Sequence, residues 1–298
     1  MLTTTSFKIE DAAEGQIGGI VTGVDVTKLS HDAPELEEIR QAIYRNKLIV
    51  IKGQNMGEQP AEYVAFTRKL GTPQVYFQEN YHHPDFPEVF VSSNINKEGE
   101  KVGVAGTGKY WHTDCQFEKK PLSFTSITPV VIPKTVRATY YIDMHKVYEN
   151  LPTDLKALVE NATLIHGGNN RYKVQPCDID KSIQQLIDYM NEIVPPVEHP
   201  AIIEHPVTGD KILYMSSGFT MKIKGLTYEE NEKAMKALFD FIEQEKHVHT
   251  HSWDAGDLII WDNRYLLHMS SSIPAGEKSK SYRIGIYDNH PFYVGLEK

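Results

Sequence analysis

The residues best suited to do chemistry are His112 and Asp114, in the run Trp111-His112-Thr113-Asp114, together with His268 and Arg283 far along the chain. Positions two apart on a strand project from the same face, so the His112 imidazole and the Asp114 carboxylate are expected to reach one cation together. His268 is the candidate third ligand. Two imidazoles and one carboxylate on one face of a six-coordinate ion leave three positions open, the arrangement that non-haem Fe(II) oxygenases use to take up a co-substrate and dioxygen. An isolated His-x-Asp is weak, because a hydrogen-bonded pair on a strand gives the same spelling. The setting strengthens it. His268 follows the apolar stretch Asp257-Leu258-Ile259-Ile260-Trp261-Asp262-Asn263, and Arg283 lies in a later strand-like run. A guanidinium there gives a carboxylate co-substrate a bidentate partner.

Positioning these groups needs a framework, and hydrophobic periodicity supplies its outline. Leu36, Ile39 and Ile43 predict a helix over 34–46 with Asp32 as its cap, and Leu48 to Ile51 reads as a buried strand. Helices are expected at 58–70, 152–161, 180–194 and from Tyr228 to Glu245. Strands are expected at Val89 to Ser93, Leu122 to Val131, Thr139 to Met144, Leu258 to Trp261 and Tyr282 to Tyr287, with a hairpin turn at 206–210 leading into Ile212 to Met215. Many short strands interrupted by helices predict a mainly β fold, a double-stranded β-helix (jelly roll) with peripheral helices, as one domain over 1–298.

The 298 residues carry a net charge of -9 with 40% apolar and 24% charged residues, which argues against a general nucleic-acid or anionic-membrane binder. Cys115 and Cys177 are too few for a disulfide framework, and no run resembles an export leader or a membrane span. A cytoplasmic setting is the expectation, and a homo-oligomer stays open.

Other motifs have plainer readings. Gly103-Val104-Ala105-Gly106-Thr107-Gly108-Lys109-Tyr110 nearly spells a P-loop, but Tyr110 stands where a magnesium-binding Ser or Thr belongs and no apolar strand precedes it. A mobile Gly-rich lid beside the site is the better reading. His247, His249 and His251 alternate without a nearby carboxylate or cysteine, which suits a solvated strand, and of the adjacent His82 and His83 at most one points inward.

The order His112, Asp114, His268, Arg283, with Trp261-Asp262-Asn263-Arg264 just upstream of the distal histidine, resembles the Fe(II)/2-oxoglutarate dioxygenases of the TauD/TfdA family over about residues 15 to 290. The resemblance implies Fe(II) and 2-oxoglutarate as cofactor and co-substrate, with Thr139 and Arg283 on the distal carboxylate of 2-oxoglutarate. The family carries arginines at two nearby positions for co-substrate and substrate, so either role is open to Arg283.

Within the family, Tyr81-His82-His83-Pro84, Val89 to Ser93, Arg137 to Asp143 and Arg171-Tyr172-Lys173-Val174-Gln175-Pro176 are similar to the isonitrile synthases of lipopeptide pathways. That implies oxidation and decarboxylation of a 3-[(carboxymethyl)amino] fatty acid to a 3-isocyano acid, consuming two 2-oxoglutarate and two O2. Tyr76, Tyr81 and Lys173 would hold substrate carboxylates, and Arg137 would line the pocket beside the co-substrate. Phe77 and Ser272 depart from the pattern, where tyrosine and histidine are usual. The alternatives are a hydroxylase of another small carboxylate or sulfonate, and a non-catalytic metal-binding jelly roll.

Overall fold

The structure, a computed structural model, describes residues 6–95, 103–135, 137–171, 173–174 and 178–296. Its strands are β1 (Lys8–Glu10), β2 (Gly19–Thr22), β3 (Leu48–Ile51), β4 (Thr72–Pro73), β5 (Phe90–Ser93), β6 (Phe124–Val131), β7 (Ala138–Asp143) and β8 (Thr163–His166). They continue as β9 (Val197–Pro200), β10 (Ile202–Glu204), β11 (Lys211–Leu213), β12 (Thr220–Ile223), β13 (Val248–Ser252), β14 (Leu258–Asp262), β15 (Leu266–Ser270) and β16 (Lys280–Tyr287). The helices are α1 (Pro34–Asn46), α2 (Pro60–Leu70), α3 (Met144–Glu149), α4 (Thr153–Val159), α5 (Ile183–Ile193) and α6 (Tyr228–Ile242).

One eight-stranded sheet runs β1-β2-β3-β14-β6-β16-β4, with β5 also paired to β16. Only its β2–β3 pair is parallel. A three-stranded sheet, β13-β7-β15, is the other element that matters for the site. Strands β3 and β14 lie at the centre of the large sheet and read as near-continuous apolar runs because both faces are covered. Their alternation assigns the faces: Ile49, Ile51, Leu258 and Ile260 pack into the core formed with α1 and α2. Leu48, Val50, Ile259 and Trp261 turn the other way and share a core with Tyr141 and Ile142 of β7 and Leu266 and Leu267 of β15. The two sheets therefore close on one another through that second core.

Helix boundaries follow local chemistry. Pro34 and Pro60 open α1 and α2, where a missing N–H costs nothing. Asp32 does not cap α1; the N-cap is Ala33, which makes no side-chain cap bond, because Pro34 already occupies the first turn. The strand expected to reach Met144 stops at Asp143, whose carboxylate accepts from the His145 and Lys146 N–H groups and starts α3. The 206–210 turn joins β10 to β11 as expected, with Gly209 in the left-handed region (φ 76°). Among the described residues, no helix is long and apolar enough to cross a membrane.

Candidate metal centre and active-site cavity

His112 and Asp114 do not lie on a regular strand. His112 forms one antiparallel bridge with His268: the His112 N–H donates to the His268 carbonyl at 3.1 Å, and the His268 N–H donates to the His112 carbonyl at 2.7 Å. The chain then turns at Cys115, a non-glycine residue in the left-handed region (φ 56°). The bridge, not strand alternation, brings the two imidazoles together, with ring centroids 4.1 Å apart. His112, Asp114 and His268 are all buried, and their ligand atoms lie within 4.8 Å of one another. No other cluster among the described residues meets that criterion.

The centre sits between the two sheets. His268 comes from β15 of the small sheet, while Thr125 of β6 and Arg283 of β16 belong to the large one. Thr125 donates its hydroxyl to Asp114 Oδ2 at 2.7 Å and accepts from Asn263 Nδ2 at 2.9 Å; Trp261 Nε1 donates to Asn263 Oδ1 at 3.0 Å. Thr113 also donates to the Asn263 carbonyl at 2.8 Å. This chain of bonds fixes the carboxylate before any ion arrives. Arg283 Nη1 donates to Asp114 Oδ1 at 2.5 Å, and its guanidinium lies 4.2 Å over the Phe90 ring. Burial alone would raise the Asp114 carboxyl, but the neighbouring positive charge, Arg283 foremost, and the Thr125 hydroxyl bond outweigh it and hold the carboxyl at about 2. Burial pushes His112 and His268 below the usual imidazole range, so both present neutral nitrogens. His112 Nδ1 hydrogen-bonds the Tyr110 carbonyl at 2.8 Å, which leaves Nε2 as the ligand atom, and His268 Nδ1 is buried without a partner among the described residues. A neutral pair of imidazoles and a firmly ionised carboxylate form a donor set that fits a divalent transition-metal ion.

These groups open onto a cavity of about 140 Å³ that all nine sequence-predicted site residues line: the triad, Thr139, Arg137, Arg283, Tyr76, Tyr81 and Lys173. Thr139 Oγ1 accepts from Trp253 Nε1 at 3.0 Å. Arg137 is 7% exposed, donates to the Ser271 carbonyl and hydroxyl, and lies 5.1 Å over the Trp253 ring; its Nε has no partner among the described residues. Tyr76 and Tyr81 stack with centroids 5.8 Å apart, and burial raises both phenols, which keeps them protonated as donors. Lys173 Nζ donates to the Ala105 and Gly106 carbonyls at 2.7 and 2.8 Å.

The Gly-rich run is tied across one wall, with Gly108 accepting from the Ser270 N–H at 2.7 Å and Thr107 from the Ser270 hydroxyl at 2.9 Å. No helix follows it, so the phosphate-loop reading fails on geometry. His249 and His251 lie on half-buried β13, opposite Tyr141 and Thr139. His82 bonds the Tyr76 carbonyl and His83 packs on Phe86 and Tyr282. Phe77 joins an apolar cluster with Phe117 and Phe219, and Ser272 is exposed. Cys177 and part of the 171–176 segment lie outside the described residues.

Sequence reading missed Thr125 and Asn263, although Asn263 stood in the Trp-Asp-Asn-Arg run. It also missed Trp253 and Ser271, which carry no motif.

Residues 8–284 match the family model for the taurine catabolism dioxygenase TauD, TfdA family. The chain belongs to that family. It is therefore an Fe(II)/2-oxoglutarate-dependent dioxygenase, and His112, Asp114 and His268 are its candidate facial triad. Similar proteins include the alpha-ketoglutarate-dependent 2,4-dichlorophenoxyacetate dioxygenase of Cupriavidus pinatubonensis, 26% identical over 78% of this chain and 82% of that protein. Pentalenolactone F synthase of Streptomyces arenae is 26% identical over 92% and 93%, and the alpha-ketoglutarate-dependent sulfate ester dioxygenase of Pseudomonas putida is 27% identical over 85% and 81%. Among solved structures, a taurine dioxygenase from Burkholderia xenovorans superposes with a TM-score of 0.74 at 24% identity, covering 98% of this chain and 95% of that one. AAD-2 in complex with Mn(II) and N-oxalylglycine gives 0.76 at 22%, covering 97% and 99%. These likenesses show a TauD-like fold of mixed sheets with peripheral helices.

Proposed function

We propose that this dioxygenase, acting as one catalytic domain, hydroxylates a small organic anion of the carboxylate or sulfonate class. The observation that carries the reading is the cavity wall: four cations, Arg137, Arg171, Lys173 and Arg283, surround a single carboxylate, Asp114. A chain of net charge -9 has gathered positive charge where the metal ligands open. The named substrates of two relatives, 2,4-dichlorophenoxyacetate and a sulfate ester, are anions and support the same class.

His112, Asp114 and His268 would hold iron, which with 2-oxoglutarate and dioxygen supplies the oxidant. Thr139 and Arg137 are suited to the distal carboxylate of 2-oxoglutarate, since Arg137 is a buried guanidinium whose bonds among the described residues go to neutral acceptors. Arg283 then stands on Asp114, where it serves co-substrate or substrate. Phe117, Phe219 and Tyr110 shield the remaining wall, so that donors act in a water-poor space and orient one C–H bond.

One observation favours a narrower second reading, formation of an isonitrile from an N-carboxymethyl-3-amino acid. Tyr76, Tyr81 and Lys173 face the same cavity as the arginines, and together they offer donors for an additional carboxylate.

Succinate release with iron, ascorbate and 2-oxoglutarate under air tests the enzyme, and it is expected to rise with a matched anion. Asp114→Ala should lower it by at least about a thousandfold, whereas retained turnover would contradict the ligand assignment. Product mass separates the two readings: gain of one oxygen supports hydroxylation, and loss of the carboxymethyl carboxyl supports the isonitrile.

A further inference from the structure

Arg171 enters the reading above only as charge on the cavity wall, with no ligand assigned to it. It ends a short 3-10 turn, Asn169–Arg171, and its own N–H donates to the Gly168 carbonyl at 3.0 Å. Its guanidinium is held on three sides without meeting a charge. Nε donates to the Gly218 carbonyl at 3.1 Å, Nη2 to the Ser217 carbonyl at 3.2 Å, and the plane lies 4.1 Å over the Tyr110 ring. Among the described residues, no carboxylate makes an ion pair with it. An exposed arginine ordinarily keeps its rotamer freedom in water, whereas this one has already lost it to neutral partners. A planar fork fixed in advance on the wall of a cavity is suited to an oxyanion.

The charge balance points the same way. A divalent ion and dianionic 2-oxoglutarate cancel, and the three wall arginines, Arg137, Arg171 and Arg283, exceed Asp114 by two positive charges. Tyr110 stands between Arg171 and the metal ligands, its ring 4.9 Å from that of His112, so Arg171 is one side chain farther out than the triad. The loop that holds Arg171 carries Phe219, whose ring packs 5.8 Å from His112. That loop has little freedom, since a Cβ at Gly218 would meet the Trp111 carbonyl at 2.7 Å.

We propose that Arg171 binds an anionic group at the outer end of the substrate, so that the preferred substrates carry two negative charges, one at each end. This rests on the proposed oxygenation of a small organic anion and adds the residue that selects its second charge.

Isothermal titration of the protein loaded with Mn(II) and N-oxalylglycine tests it, because the probes bind without turnover. The probes are glutarate, adipate and suberate, each set against the monocarboxylate of equal chain length: pentanoate, hexanoate and octanoate. The wild-type protein should prefer at least one dicarboxylate by about tenfold or more. Arg171→Gln should lower that preference below about threefold, Arg171→Lys should retain part of it, and both should bind N-oxalylglycine as the wild type does. Absence of any wild-type preference overturns the proposal. So does an equal loss for both probe types in Arg171→Gln, which would make Arg171 a fastener of the 216–219 loop. If Arg171→Gln does not fold, the Lys variant decides: a preference unchanged in size and in salt dependence counts against an oxyanion contact. Failure of the wild type to bind N-oxalylglycine would instead strike the oxygenase reading.

Discussion

Two arginine–aspartate pairs, one at the end of β14 and one joining β16 to the Asp114 turn, have opposite designs. Arg264 pairs with Asp262 at 3.2 Å and Asp288 at 2.9 Å, and it also donates to the Phe292 and Pro291 carbonyls and the Ser123 hydroxyl. His205 adds a bond to Asp262 at 3.0 Å, and the Arg264 side chain is fully covered. Arg283 meets one carboxylate oxygen of Asp114, retains 19% side-chain exposure, and faces the cavity that His112 and His268 also line. The closed pair has every charge answered by protein and therefore holds structure. The open pair leaves one face to the cavity beside the candidate metal ligands.

The largest expected effect comes from breaking the closed pair. Arg264→Met leaves Asp262 and Asp288 buried without their cation, which should cost about 3–5 kcal/mol of stability. The melting temperature should fall by about 10 °C, while iron affinity per folded molecule stays within about twofold. Thermal unfolding and metal titration on the same samples check this; a variant that melts like the wild type would show that the pair is not structural. Asn263→Ala tests the other side. It removes the bond that orients Thr125 toward Asp114, so iron affinity should fall by about tenfold to a hundredfold. Equal affinity in variant and wild type would mean that the Thr125–Asn263 relay does not position the carboxylate.

The contrast also explains what the sequence could and could not reveal. Runs such as Leu48 to Ile51 and Leu258 to Trp261 were legible as strands because burial on both faces leaves no polar position. Helix α6 was legible from its period, and Thr227 and Glu230 form its capping box. The triad was legible because few residue types bind iron. The backbone bridge between His112 and His268 was not, since no local pattern records pairing across so long a separation. Asn263 and Thr125 were missed for a related reason: a hydrogen bond that orients a ligand leaves only an ordinary polar residue in the sequence. Helix α5 is the reverse case, with a sequence pattern clearer than its packing. Its Ile183 and Ile187 are 78% and 44% exposed although Met190 is buried.

An unpartnered buried atom is not by itself a sign of a metal site, and His166 separates the two situations. Its Nε2 lacks a partner, as His268 Nδ1 does, but its described neighbours are Thr220, Tyr214 and His199 rather than a carboxylate. Burial, reinforced by His199, holds His166 down to about 3. A histidine depressed in the folded state binds fewer protons there than in the unfolded chain, so its contribution to stability is complete above the unfolded value near 6.5 and is lost as pH falls below it. At pH 5.5 the loss should be about 1 kcal/mol relative to neutral pH. Replacing the imidazole by a non-titrating amide, His166→Gln, should flatten the pH dependence of urea unfolding by that amount while leaving the metal-induced rise in melting temperature intact. If the slope between pH 7 and 5.5 is the same in both proteins, His166 is protonated in the fold. If the metal response disappears instead, His166 belongs with the open cluster after all, and the division between closed and open polar interiors would have to be redrawn around it.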